Sequence, residues 1–220
     1  MRHRRGPDQG NPVGTLDDLV AEIRTDGGAA TAHVTDVTDP DQVQQLIDSA
    51  IDEHGRIDHL INNAGLMLFS DWEDRAVDDW NLMITNTIRG YLHAISAVLP
   101  HMLDRNAGHI LNMSSVAGIR VGASSGVYSA TKFFIRAVTD SLRQEVGTAH
   151  NIQISTISPG VIDTGWADKV GNEQGRRTAR HLDEQAISAD TVAGAVLYAL
   201  AQPADVTVND VVIHPTAQTW

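Results

Sequence analysis

A tyrosine and a lysine one helical turn apart are the residues of this sequence best suited to chemistry. Tyr128 and Lys132 lie in the stretch 126–132, and on a helix this spacing places both on one face. A phenol has a pKa of about 10, so acid or base work near neutral pH requires a shift of roughly three units, or about 4 kcal/mol. A fixed ammonium can supply part of that shift, so the pair predicts proton transfer. The alternative interpretation is a solvated helix face.

Three other segments predict strands that end in small or polar residues. Residues 108–118 indicate a buried strand running into a loop with Ser115, and ligands of open α/β sheets bind at the carboxyl ends of strands. Residues 57–65 end in Asn-Asn-Ala-Gly, where small residues let backbone approach a ligand. Residues 152–164 break at Pro159-Gly160. These segments predict a site shared with the tyrosine, although serine also occurs in turns for their geometry alone.

These motifs, in this order and spacing, resemble those of the short-chain dehydrogenases/reductases. The resemblance runs from about Leu16 to the C-terminus, and residues 208–216 are similar to the last strand of bacterial NADP-dependent hydroxy-acid and aldehyde reductases. It implies an α/β fold with a Rossmann-like, doubly wound parallel sheet. The alternation of predicted strands and helices also favours a mostly parallel sheet covered on both sides.

The resemblance implies a reaction, the interconversion of a carbonyl and an alcohol by hydride transfer with a nicotinamide cofactor. Tyr128 would donate or accept the proton, Lys132 would lower the tyrosine pKa and hold the nicotinamide ribose, and Ser115 would hydrogen-bond the substrate oxygen. A variant that uses the same tyrosine for epimerisation or dehydration is an alternative.

One catalytic position departs from the family pattern. Many members have an asparagine of the proton relay three residues before a helix glycine. Here Gly90 places Thr87 at that position with Asn86 beside it, and a helix bulge could bring Asn86 into place. Asn86 is therefore a candidate, with an ordinary polar helix residue as the alternative. The predicted catalytic residues are Ser115, Tyr128, Lys132 and Asn86.

The cofactor implied by the resemblance is NADP, with NAD as the alternative. Asp36 matches the family's adenine-binding position, although helix capping is a competing role for Asp36 and Asp39, because Asp39-Pro40 is a good helix start. Ile162 and Thr164 would meet the carboxamide. The predicted cofactor-binding residues are Asp36, Val37, Asn63, Ala64, Gly65, Tyr128, Lys132, Pro159, Gly160, Ile162 and Thr164.

The start of the chain also departs from the family, which opens with a strand, a glycine-rich turn and a helix that binds pyrophosphate. Residues 1–14 are polar and rich in glycine and proline. We therefore expect a disordered or non-family tail over residues 1–14, a single domain over 15–220 and a fold lacking the first β-α-β segment. Within it we expect a helix over Leu16–Thr25 and a strand over Ala29–Val37. We then expect a helix over Pro40–His54, ended by Gly55, and a strand over Ile57–Asn62. A truncated homologue without catalysis, acting only as a subunit or not at all, is a further alternative.

Composition narrows the partners of this 220-residue chain. A net charge of −12 argues against nucleic acid, and the absence of cysteine together with unclustered histidines argues against a metal site. No apolar run is long enough to span a membrane, so we expect no membrane partner and a cytoplasmic location. We expect a homodimer or homotetramer, because family members pack the helices predicted over 77–105 and 127–149 against a second subunit. The arginines between Trp166 and Ala186, in the family's substrate-covering segment, suit either an acidic substrate or a solvated lid.

Overall fold

The computed structural model describes residues 12–166, 170 and 173–218. These residues belong to two units, one ending at Asp36 and one beginning at Val37. Residues 1–11 of the predicted tail, like Lys169 and Gly171 of the arginine-rich segment, lie outside the described residues. The predicted tail and domain limits therefore stay predictions.

The first unit contains helix α1, Pro12–Thr25, which begins four residues before the predicted Leu16. Its end is closed by Gly28, whose amide donates to the Ile23 carbonyl at 2.9 Å. The predicted strand over Ala29–Val37 is wrong, because the structure has irregular chain there. A strand is held by pairing with a neighbour. The described residues of this unit, helix α1 and irregular chain, offer none.

The second unit alternates helices and strands. The helices are α2 (Pro40–His54), α3 (Val77–Met83), α4 (Gly90–Arg105), α5 (Gly126–Leu142), α6 (Thr148–His150), α7 (Glu173–Asp183) and α8 (Ala189–Leu200). The strands are β1 (His59–Asn62), β2 (Gly108–Met113), β3 (Ile152–Pro159), β4 (Ile162–Asp163), β5 (Ile187–Ser188) and β6 (Asp210–Ile213). Short 3-10 turns cover Trp72–Asp74 and Val116–Gly118, and π-helical turns cover Ile84–Arg89 and Arg143–Gly147.

Local sequence sets the ends of α2 as predicted. The Asp39 carboxylate accepts from the amides of Asp41 and Gln42, and Pro40 occupies the first helical position. Gly55 closes the helix with φ of 77°, a left-handed conformation that glycine adopts without strain. The capping role predicted for Asp39 is confirmed, and α2 has the predicted limits.

The described strands of the main sheet are parallel and lie in the order β1, β2, β3, β6. Asn62 pairs with Asn112 in register, and Met113 pairs with Ile157, so the carboxyl ends of β1, β2 and β3 meet at one edge. The loops that follow these strands carry the predicted motifs. The sheet therefore brings the motifs together, as the sequence predicted.

Alternate residues of the strands point into two separate cores. Ile110 and Ile154 pack with residues of α2 and α4, joined by partly buried residues of α5. Leu111 and Ile157 pack with residues of α8 on the other face. Helices thus cover both faces of the sheet, which is the doubly wound arrangement. Among the described residues, no helix is long and apolar enough to cross a membrane.

Candidate active site

The loop after β2 fixes Ser115 against the helix that carries the tyrosine. Ser115 accepts from the Ala117 amide at 3.1 Å and donates to the Pro159 carbonyl at 3.3 Å, so its hydroxyl links β2 to β3. The next residues approach α5 so closely that a Cβ on Gly118 would lie 2.8 Å from the Lys132 carbonyl oxygen. Ser114 donates to the same carbonyl at 3.0 Å. Glycine at this position therefore sets the distance between Ser115 and α5.

Lys132 is buried in the middle of α5, with 5% of its surface exposed. Its ammonium donates to the Met113 carbonyl at the end of β2, at 2.9 Å, and lies 5.8 Å from the centre of the Tyr128 ring. Burial lowers the pKa of Lys132 to about 8, because desolvation disfavours the charged form. The lysine therefore remains mostly protonated at neutral pH.

Tyr128 lies on the same face of α5, one turn before the lysine. Burial raises the pKa of Tyr128 above its usual value of 10, and a hydrogen bond with Ser115 acts in the opposite direction. The phenol is therefore protonated near neutral pH and can donate a proton. Ser115 and Tyr128 both line the same cavity, so a carbonyl oxygen could bind between their hydroxyls.

The π-helical turn between α3 and α4 separates the two relay candidates. Asn86 donates from its side-chain amide to the Leu82 carbonyl of its own helix at 3.0 Å. Thr87 is fully buried, and its hydroxyl has no hydrogen-bond partner among the described residues. A Cβ on Gly65 would lie 3.4 Å from the Thr87 hydroxyl and 3.7 Å from the Lys132 ammonium nitrogen. The bulge therefore places Thr87, rather than Asn86, close to the lysine.

A cavity of about 530 Å³ opens onto these groups. Its lining includes three predicted catalytic residues, Ser115, Tyr128 and Lys132, and six further predicted cofactor residues, Asn63, Gly65, Pro159, Gly160, Ile162 and Thr164. Ala64, Val37 and Asn86 do not line it. Val37 instead packs on α4, where its carbonyl accepts from the His93 ring at 3.0 Å. Asp36 is exposed at the end of the first unit.

Sequence reasoning missed a buried amide chain behind the site. Asn62 donates to Asn112 at 2.9 Å, and Asn112 donates to the Thr139 hydroxyl on α5 at 2.9 Å. These bonds tie the carboxyl ends of β1 and β2 to the tyrosine helix. Polar residues within two otherwise apolar strands were the available signal, because buried amides require partners.

Tyr91 is a second residue that sequence reasoning missed. It is almost fully buried on α4, and its hydroxyl donates to the Met113 carbonyl at 3.1 Å, the same oxygen that binds Lys132. Burial raises the pKa of Tyr91 above its usual value, and the nearby Tyr128 adds to the shift. Tyr91 lies far in sequence from Tyr128 and Lys132, so no sequence motif indicated its contact with the Met113 carbonyl.

Comparison with known proteins agrees with the geometry. Residues 11–175 match the family model of the short chain dehydrogenases. An uncharacterized oxidoreductase of Staphylococcus saprophyticus is 43% identical over 186 residues, covering 84% of this chain and 76% of that protein. The chain belongs to the short-chain dehydrogenase family. An uncharacterized oxidoreductase of Listeria innocua is 34% identical over 210 residues, or 94% of this chain and 85% of the relative.

Solved structures of short-chain dehydrogenases share the fold. The closed form of a serine dehydrogenase complexed with NADP+ has a TM-score of 0.81 and 28% identity, covering 92% of this chain and 83% of that one. A short-chain dehydrogenase/reductase of Burkholderia phymatum in complex with NAD has a TM-score of 0.83 and 26% identity. The match covers 91% of this chain and 76% of that one. The predicted family and Rossmann-like α/β fold are confirmed, and the chain is an oxidoreductase of this family.

Proposed function

We propose that this short-chain dehydrogenase interconverts a carbonyl compound and an alcohol, with NADP as cofactor and NAD as the alternative. The observation that carries the proposal is the convergence of Ser115, Tyr128 and Lys132 on one cavity, with the lysine anchored to the Met113 carbonyl. A protonated phenol beside a hydroxyl and an ammonium provides a proton donor for a carbonyl oxygen. Related structures that contain NADP+ or NAD support the choice of cofactor.

The residues present fit a nicotinamide cofactor. Gly65 leaves open the space beside the Lys132 ammonium, where a Cβ would lie 3.7 Å from its nitrogen. The buried Thr87 hydroxyl faces the same space without a partner among the described residues. We assign Asn63, Gly65, Pro159, Gly160, Ile162 and Thr164 to the cofactor, with Lys132 at its ribose. When bound, a nicotinamide supplies or accepts the hydride of the reaction.

The protein's own groups control the proton. Ser115 orients the substrate oxygen, and Tyr128 donates its phenolic proton to that oxygen as the alcohol forms. Lys132 stabilises the phenolate that remains, because a cation favours the ionised phenol. Thr87, rather than Asn86, is the residue we assign to the path that returns a proton past Lys132.

The proposal extends to assembly and location. Leu92 on α4 and Phe133 on α5 are large apolar side chains with 41% and 42% of their surface exposed. Exposed apolar groups on two helices that pack on the same core suit a second copy of the chain. We propose a homo-oligomeric enzyme of the cytoplasm that acts on a small molecule.

The direct test substitutes the proton donor. Tyr128→Phe should lower kcat for carbonyl reduction at least about a hundredfold, while the Kd for NADPH, followed by cofactor fluorescence, stays unchanged. Tyr198→Phe is the matched control, because Tyr198 lies on α8 with 60% of its surface exposed. Turnover retained in Tyr128→Phe would refute the assigned mechanism.

A further inference from the structure

Part of the cavity lining is an apolar wall formed by Met67, Phe69, Trp166 and Leu182. The rings of Phe69 and Trp166 are 5.8 Å apart between centres and tilted by 53°. Buried Val170 and Ala179 pack in the same cluster. Because packed side chains hold the wall in place, an apolar group entering the cavity would meet a preformed surface.

The arginines of α7 are not among the described residues that line the cavity. Arg177 forms an ion pair with Glu173 at 2.9 Å, and both side chains are more than half exposed. Arg176 donates to the Val170 carbonyl at 3.1 Å. The residues that α7 contributes to the cavity lining are Thr178 and Leu182. The helix thus presents a small and an apolar side chain to the cavity, and Arg176, Arg177 and Arg180 do not line it.

One further cation does reach the cavity. Arg120, exposed on the loop after the 3-10 turn Val116–Gly118, is the only charged residue other than Lys132 among the described lining residues. A substrate with a distal carboxylate would bind to the Arg120 guanidinium through that carboxylate. An uncharged substrate would bind mainly to the apolar wall, so the two classes of substrate depend on different side chains.

We propose that the substrate is an uncharged ketone or secondary alcohol with an apolar body, a statement that rests on the proposed carbonyl–alcohol function. Its oxygen lies at Ser115 and Tyr128, and its body lies on the apolar wall. The cavity of about 530 Å³ is large enough for both a cofactor end and a medium-sized organic molecule. Binding then strengthens with the apolar area removed from water.

The kinetic test compares ketones that differ in length and charge. With NADPH, kcat/KM should rise about fourfold for each methylene added from butan-2-one to octan-2-one. The matched keto acid, 7-oxooctanoate, has the same chain with a carboxylate in place of the last methyl, and should react at least about tenfold more slowly than octan-2-one. Equal or faster reaction of the keto acid would overturn the proposal.

Two variants identify which side chains select the substrate. Trp166→Ala should lower kcat/KM for octan-2-one at least about tenfold but change that for butan-2-one little, because only the longer chain reaches the wall. Arg120→Gln should leave both ketones unchanged, with Arg177→Gln on the outer side of α7 as the matched control. A keto-acid preference that Arg120→Gln abolishes would show that the substrate is anionic.

A binding measurement separates this inference from the proposed function. Calorimetric titration of the folded wild-type chain with octan-2-one and with 7-oxooctanoate tests the wall without turnover. Binding of octan-2-one that Trp166→Ala weakens, in a chain that reduces no carbonyl, would support the apolar wall and refute the reaction. Carbonyl reduction without preference for the apolar ketone would support the reaction and refute the role of the apolar wall. Circular dichroism confirms that each variant is folded.

Discussion

Two buried bases lie near opposite ends of β2, and their surroundings differ in how they accept a positive charge. At the carboxyl end, the Lys132 ammonium donates to the Met113 carbonyl. Near the amino end, His109 is fully buried and lies 5.9 Å from the His59 ring. Ser155 donates its hydroxyl proton to the Val208 carbonyl, so it accepts from His109 Nε2, and Nδ1 has no partner among the described residues. One end is built for a cation and the other for a neutral ring.

The pKa directions agree with this difference in partners. Burial lowers the pKa of Lys132 from 10.5 to about 8, and burial with a smaller effect of His59 lowers that of His109 from 6.5 to about 4. Near pH 7 the lysine is therefore charged at a cost in folding free energy, whereas the histidine is neutral and has no such cost. A buried charge that destabilises the fold is retained at the end where we place the chemistry, as is common in active sites.

The largest expected effect comes from removing the charge at the carboxyl end. Lys132→Met should lower kcat at least about a hundredfold, because Tyr128 would lose the cation that we propose stabilises its phenolate. The Tm should stay the same or rise, because an apolar side chain of similar length replaces a desolvated ammonium. Kinetics and thermal melting together check this. A fall in Tm of ten degrees or more would mean that the lysine is chiefly structural.

His109, near the amino end of β2, should make the unfolding free energy depend on pH. The folded pKa of His109 lies below its unfolded value, so the unfolded chain binds more protons between these values. Stability should therefore fall as the pH decreases from about 6.5 to about 4, by up to about 3 kcal/mol. Urea unfolding across this range measures it.

Two histidine variants assign that pH dependence. His109→Gln should flatten the slope over this window, because a neutral amide does not titrate. His59→Gln, an exposed neighbour on β1, should reduce the slope only slightly. An unchanged slope in His109→Gln would mean that other groups cause the loss of stability at acidic pH.

A glycine variant tests whether the close contact between Gly118 and the Lys132 backbone positions the residues of the candidate site. Gly118→Ala would bring a Cβ to 2.8 Å from the Lys132 carbonyl oxygen, so either the loop after β2 or α5 must shift. We expect a loss of about 1–3 kcal/mol in unfolding free energy and a lower kcat. Gly122→Ala is the matched control, because the nearest atom to its Cβ would be the Ser125 hydroxyl at 3.5 Å. Equal effects of the two variants would contradict a specific role for this contact.

How much of this molecule the sequence predicts depends on how local the cause is. Asp39 and Gly55 set the limits of α2 through contacts within a few residues, and both limits were predicted. The strand expected over Ala29–Val37 depends on a paired neighbour, which its own residues do not specify, and that prediction was wrong. Strand edges show the same limit, since β1 begins at His59 rather than at the predicted Ile57.

The candidate site divides in the same way. The spacing of Tyr128 and Lys132 on one helix face is local, and Ser115 could be placed because parallel strands end at one edge. Tyr91 comes to the Met113 carbonyl only through the packing of α4 against β2, which no local pattern reveals. The relay position depended on the π-helical turn, and the sequence left Asn86 and Thr87 both open.

The smallest expected effect concerns that relay position. Thr87→Val keeps the shape of the side chain and removes the hydroxyl, so kcat should fall severalfold if the hydroxyl assists proton return at the Lys132 end. Unfolding free energy should rise by about 1 kcal/mol, because a buried hydroxyl with no partner among the described residues is costly. Asn86→Ala should leave kcat unchanged, since the Asn86 amide binds the Leu82 carbonyl of its own helix. Rate loss in Asn86→Ala with none in Thr87→Val would reverse the assignment. It would also contradict the view that the π-helical turn Ile84–Arg89 places a relay residue beside Lys132.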